Sequence, residues 1–175
     1  VFGQSAWIAL AENAAGFALA KLRRDDGSLA RTFNARETRG EGVLEDYSAL
    51  AYGLAELYAA TAKVEWLDAG RRLLDHAREH FRHDTGIGFY DTPASATDLF
   101  ARPRELTDGA TPSGNALMAE MLFVYGTYGY DPALIEEGSA IVEAMALPMA
   151  DYPLFTGFFH AVAQRMIAGP KEVVF

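Results

Sequence analysis

No cysteine occurs among the 175 residues, which excludes disulfides, thiolate metal sites and cysteine nucleophiles. Basic residues are scarce: 15 Lys and Arg stand against 24 Asp and Glu, a formal net charge of −9. A polyanion is a poor partner for such a chain, and nucleic acid is not expected. No apolar run reaches the roughly 18 uninterrupted residues that a membrane span needs, so no membrane partner is expected either. The opening "VFGQSAWIAL" lacks the pattern of a signal peptide, and it begins on Val rather than Met. Those features lead to the expectation of a soluble, cytoplasmic excerpt from a longer protein. A phosphate loop, a dinucleotide fingerprint and a nucleophile elbow are also missing, because "TGIG" and "TPSGN" do not have the required spacing. No cofactor is expected.

What the chain does have is helical periodicity, in six segments at about 5–24, 44–61, 65–82, 113–128, 132–146 and 153–168. Stops separate them: "DDG", "DTG", Gly129, Pro148 and "GP". In "EWLDAGRRLLDHAREHF", Trp66, Ala69, Leu73, Leu74, Ala77 and Phe81 form one stripe opposite a charged face. "PALIEEGSAIVEAMA" repeats that one-sided pattern. By contrast, "YSALAYGLAELYAA" and "ALMAEMLFVYG" are apolar all round, each interrupted by one glutamate, Glu56 or Glu120. Alternation of one-sided and all-round helices predicts two layers, with inner helices backed by outer ones. The predicted class is all-α, a two-layer array of helical hairpins, in a single domain over 1–175.

Connections from inner to outer helices are short, whereas those returning inward are long, as functional loops tend to be. Two of the long ones, "RRDDGSLARTF" and "FRHDTGIGFYDT", resemble each other and suggest an internal repeat with a short β-like run in each.

"GVLEDYSALAYGLAELYAAT", "EWLDAGRRLLDHA", "GFYDT", "RPRELTDGATPSGNALMAE" and the closing "AGPKEVVF" together resemble the C-terminal half of the large thioredoxin-domain-containing proteins related to the spermatogenesis-associated thioredoxin-like protein. The resemblance implies an N-terminal thioredoxin-like domain followed by a six-hairpin (α/α) barrel similar to N-acylglucosamine 2-epimerases and glycosidases. This chain would then hold about three hairpins, a partial toroid with small β-hairpins in its long loops. Its expected partners are the rest of the barrel, the thioredoxin-like domain and a possible sugar ligand.

If the all-round helices form an inner ring, "LEDY" and "TPSGN" lie at inner-helix N-termini on one rim, where free backbone N–H groups suit a polar ligand. Asp46 and Asp108 are the candidate acid/base pair for glycosyl chemistry, which needs carboxyl groups about 5 to 10 Å apart. Glu45, Tyr47, Phe89, Arg102, Ser113 and Asn115 are the candidate ligand contacts. A plainer use stands beside each: Asp, Ser and Asn near helix starts serve as caps or loop braces, and aromatic residues at helical spacing serve as core. Arg102 and Arg104, flanking Pro103, could hold an anionic group, but an internal ion pair with Asp108 is the commoner use of such residues. Asn115 falls within the first turn of an apolar helix, where a buried amide needs partners.

His76, His80 and His83 with Asp84 have the spacing of a zinc site, but they fall near the wet side of an outer helix, and no metal is expected. Epimerases of this barrel type use histidines in the bore, and only His160 is placed for that. Two functions remain open: a carbohydrate-binding or carbohydrate-processing barrel, and a non-catalytic scaffold for the thioredoxin-like domain. The sequence names no reaction. A partial barrel would also leave inner helices uncovered, which predicts self-association.

Overall fold

The computed structural model describes residues 5–34, 36–97 and 99–170. The tail of the closing motif, "KEVVF" at 171–175, lies outside them. The chain is mostly helical: α1 (Ser5–Lys21), α2 (Leu44–Thr61), α3 (Val64–His80), α4 (Gly114–Tyr128), α5 (Pro132–Ala144), α6 (Ala146–Asp151) and α7 (Gly157–Ala168), with one antiparallel hairpin, β1 (Ala30–Asn34) and β2 (Glu37–Glu41). The predicted all-α class with a short β-hairpin is the observed one.

Pairing follows the short connections. α2 packs on α3, α4 packs on α5, and α2 and α4 lie side by side between them. α1 flanks α2, and α7 flanks α4. The α2–α3 turn is closed by Ala62 in the left-handed region, with its N–H donated to the Tyr58 carbonyl. Pro132 starts α5 at a position where its missing N–H costs nothing.

Burial separates the helices in a way that periodicity does not. In α4 only Val124, Thr127 and Tyr128 escape full burial, so its all-round apolar pattern marks the centre of the molecule. α2 has a similar pattern yet leaves Ala49, Gly53, Glu56 and Ala60 exposed, while Leu44, Tyr47, Ala51 and Leu54 enter the core. Among the described side chains of α1, only Ala15 is buried. An all-round apolar sequence therefore identifies helices made to be covered, and α1 lacks a cover within these residues.

Two close approaches lock the layers. A Cβ at Gly70 of α3 would lie 1.6 Å from the Tyr125 hydroxyl of α4. That hydroxyl occupies the gap and donates to the Ala51 carbonyl of α2 at 2.9 Å, so one side chain ties three helices. On the other side, a Cβ at Gly138 of α5 would meet the Ala119 carbonyl at 2.9 Å, which sets how near α5 lies to α4. The glutamate in the middle of α4, Glu120, is 2% exposed and is paired with Arg165 of α7. Burial pushes its carboxyl up, and the Arg165 charge opposes that shift.

Boundaries differ from the sequence reading in three places. α1 ends at Lys21 because Arg23 forms an antiparallel bridge with Leu29. Pro148 does not stop a helix but sits in the first turn of α6, where proline is tolerated. The final helix begins at Gly157, after a 3₁₀ turn over Pro153–Phe155. The two long loops do share a feature: the Arg23–Leu29 bridge in the first matches the Arg82–Phe89 bridge in the second, each closed around a glycine with positive φ, Gly27 and Gly86. Among the described residues, only the first loop carries a hairpin.

Candidate functional site

The start of α2 and the start of α4 meet at one end of the molecule. Thr111 Oγ1 donates to Glu45 Oε1 at 2.8 Å, joining the "LEDY" and "TPSGN" stretches directly. Beside this contact opens a cavity of about 410 Å³, lined among others by Arg31, Glu45, Asp91, Glu105, Thr107 and Asp108.

Backbone hydrogen bonds shape its walls. Leu44, at the start of α2, donates its N–H to the Asp91 carbonyl at 2.9 Å, and the Asp91 N–H reaches the Pro103 carbonyl at 2.9 Å. Glu105 donates its N–H to Asp91 Oδ2 at 2.7 Å. Asn115, fully buried, holds the same two loop segments from behind: its Nδ2 donates to the carbonyls of Phe89 at 3.0 Å and Glu105 at 3.2 Å, and its Oδ1 accepts the Phe89 N–H at 2.9 Å. The buried amide has the partners it needs.

The other expected residues are placed as follows. Ser113 caps α4, its Oγ accepting the Ala116 N–H at 3.2 Å. Asp108 faces the cavity, but Oδ1 accepts the Ser113 N–H at 3.0 Å and Oδ2 accepts the Phe158 N–H at 2.7 Å. It braces the beginnings of α4 and α7 together. Asp46 opens onto a neighbouring hollow that shares Arg31 and Glu45 with the first. Its Oδ2 accepts the Val43 N–H at 2.8 Å and pairs with Arg31 at 2.9 Å, the third-position half of a capping arrangement. Both carboxylates expected to act as acid and base are thus bound to backbone donors.

Tyr47 and Phe89 offer no ring face to this cavity. Tyr47 is buried, accepts the Leu29 N–H at 2.7 Å on its hydroxyl and stacks on His76 with centroids 5.3 Å apart. Phe89 is fully buried in the core. Both aromatic side chains are core, the commoner use of such residues. Arg102 makes no ion pair with Asp108: it donates to the Thr92 and His80 carbonyls and lies 4.1 Å above the Tyr90 ring. His160 is exposed, with Nδ1 at 2.9 Å from the Thr156 carbonyl. Among the described residues no group of three His, Asp or Glu side chains is arranged to hold a metal ion.

Sequence reasoning missed the two carboxylates that most distinguish the cavity. Burial pushes the Asp91 carboxyl up, and the negative charges of Glu105 and Glu45 act in the same direction. Glu105 is held below the usual range, first by the Thr107 hydroxyl and then by backbone N–H groups. Adjacent carboxyls driven in opposite directions are a known pattern of acid/base sites. The available signal was an acid directly after the Phe89–Tyr90 pair, which on sequence looks like any loop aspartate.

Comparison with known proteins gives a partial match. No family model matches the chain. Over 91 residues it is 36% identical to the rat protein named spermatogenesis-associated protein 20, a stretch that covers 51% of this chain and 12% of the rat protein. The mouse protein of that name is 37% identical over 82 residues, covering 46% of this chain and 10% of the mouse protein. The human one is 34% identical over 91 residues. Over that stretch the chain is related to them. It spans only a small part of the length of the spermatogenesis-associated protein 20 sequences. No helix among the described residues is long and apolar enough to cross a membrane.

Proposed function

We propose that the cavity at the joined starts of α2 and α4 binds a polyhydroxylated ligand of the sugar class. The observation that carries this reading is the set of Asp91, Glu45 and Glu105 around one open cavity, with Asp91 the carboxyl that favours its proton. Carboxylates accept hydrogen bonds from hydroxyls, and two such pairs already exist at the rim: Thr111 on Glu45 and Thr107 on Glu105. A sugar hydroxyl would take the same kind of bond. For any chemistry on that ligand, Asp91 would be the proton donor, a role first expected of Asp46 and Asp108. The finer fold proposed with it is a partial (α/α) barrel, the C-terminal part of a larger toroid, in a cytoplasmic parent protein.

The test is a panel of mono- and disaccharides titrated against the chain and followed by backbone amide NMR. Shifts confined to residues 43–46, 91–92 and 105–114, lost in Asp91→Asn together with Glu45→Gln, are the expected result. No shift with any sugar up to saturation would reject the proposal.

A second reading, a non-catalytic scaffold partnering a thioredoxin-like domain of the parent protein, is favoured by one observation. The residues first expected to do chemistry hold backbone in place instead, Asp108 above all. Unchanged sugar spectra combined with retained binding to a thioredoxin-like partner domain would support it.

A further inference from the structure

The polar cavity does not stand alone. A second hollow of about 430 Å³ lies beside it, and the two share Arg31 and Glu45 as a common wall. Each falls within the roughly 300 to 1,000 Å³ of small-molecule sites. Their linings are opposite in character. Apart from Arg31, Glu45 and Asp46, every residue around the second hollow is alanine or leucine: Ala18, Leu22, Leu29, Ala30, Ala49 and Leu50. The end of α1, the loop after it, the start of β1 and the first half of α2 supply these walls, so the hollow is formed between elements of this chain.

Arg31 stands at the border. Its Nη1 pairs with Asp46 Oδ2 at 2.9 Å, and the same oxygen accepts the Val43 N–H at 2.8 Å. The guanidinium is thereby held where the two cavities meet. A ligand confined to the polar cavity would leave water against the aliphatic side chains next to it, which is unfavourable. A second sugar ring there would lack partners, since alanine and leucine side chains neither donate nor accept hydrogen bonds. A hydrocarbon group needs no such partner and displaces the water.

We propose, resting on the sugar reading of the polar cavity, that its ligand is a glycoside with a hydrocarbon aglycone. The sugar occupies the polar cavity, the alkyl or aryl group occupies the Ala/Leu hollow, and the linking oxygen passes between Arg31 and Glu45. The hollow then supplies affinity, which is non-directional, and the polar cavity supplies orientation and selection.

The test compares methyl, hexyl and phenyl glycosides of the same sugars, below micelle-forming concentrations, by titration followed in backbone amide spectra. Hexanol and phenol serve as controls without a sugar. Each buried methylene is worth about fourfold in affinity, so a hexyl or phenyl glycoside should bind at least about tenfold tighter than its methyl counterpart. Its shifts should include Ala18, Leu22, Ala49 and Leu50 beside those at residues 91–92 and 105–114. Ala49→Glu puts a carboxylate into the hollow from an exposed helix position. It should abolish the tightening while leaving the circular dichroism spectrum unchanged. Equal affinity for methyl, hexyl and phenyl glycosides would overturn the proposal and leave the sugar reading intact. Hexanol that matches the hexyl glycoside in affinity would overturn it too. No shift with any glycoside would reject both.

Discussion

Asn115 and Phe89 exchange two hydrogen bonds, side-chain amide to backbone amide, as neighbouring strands do: Nδ2 to the Phe89 carbonyl at 3.0 Å and the Phe89 N–H to Oδ1 at 2.9 Å. A third bond, to the Glu105 carbonyl, adds the next loop segment. One side chain at the start of α4 thus substitutes for a strand that the loop does not have. Asn115→Ala leaves these buried backbone groups without partners, and the expected loss of stability is about 3 kcal/mol. Asn115→Asp should be worse at neutral pH, since a buried carboxylate would face two carbonyls, and part of the loss should return on acidification. Urea unfolding of both variants at two pH values checks the ranking.

Asp91 gives a pH prediction. Its folded-state pKa is raised, first by burial. An acid with a raised pKa costs stability where it is ionised in the fold, and the cost disappears as pH falls and the proton is taken up. Asp91→Asn, which keeps an oxygen for the Glu105 N–H, should therefore raise Tm at neutral pH. The gain should shrink as pH falls through the raised pKa. A gain that is constant with pH would show that the carboxyl is not strained by its surroundings. Glu105 has the opposite sign: its lowered pKa adds stability above the ordinary carboxylate range, and that addition is lost as pH falls through the lowered value.

Arg165→Met removes the partner of Glu120 and leaves a carboxylate with 2% exposure inside the α4 layer. Only the Glu120 end is buried and Arg165 is 50% exposed, so the loss should fall below the about 3 to 5 kcal/mol of a fully buried pair. Since burial already raises the Glu120 pKa, the penalty should fall in acid as the carboxyl takes a proton. The double variant Arg165→Met with Glu120→Gln should recover much of the loss at neutral pH. Thermal melts of the three proteins measure this directly.

Asp108→Ala deletes the common acceptor of the Ser113 and Phe158 N–H groups. A loss of about 2 kcal/mol is expected, with faster hydrogen exchange in the first turn of α7. Asp108→Asn should resemble it, because the amide NH₂ would point at an N–H donor. Exchange unchanged at residues 157–160 would argue against the brace.

The helices were legible because helical periodicity is local: α2, α3, α4 and α5 lie within two residues of their expected ends. That α4 would be covered was legible too, since a helix without a polar face is made to be buried. Which apolar helix stays covered was not, because α1 and α4 read alike while only their neighbours differ. The rim was visible as polar residues at helix starts, and the Thr111–Glu45 contact joins the two stretches. The different surroundings of its carboxylates were hidden. Asp46 and Asp108 looked like chemistry because they flank helix starts, and that same position gives them backbone donors to hold. Asp91 and Glu105 come together through loop pairing, Asp91 N–H on Pro103 and Glu105 N–H on Asp91, which Asn115 holds from behind, and no local pattern announces it.

The Tyr125 hydroxyl in the space above Gly70 limits α3 in length as well as in composition. Each residue turns a helix by about 100°, so inserting or deleting one between Val64 and Gly70 would swing the bare position away and drive a neighbouring side chain into the phenol. Natural variants of this segment should differ by substitution and never by indels.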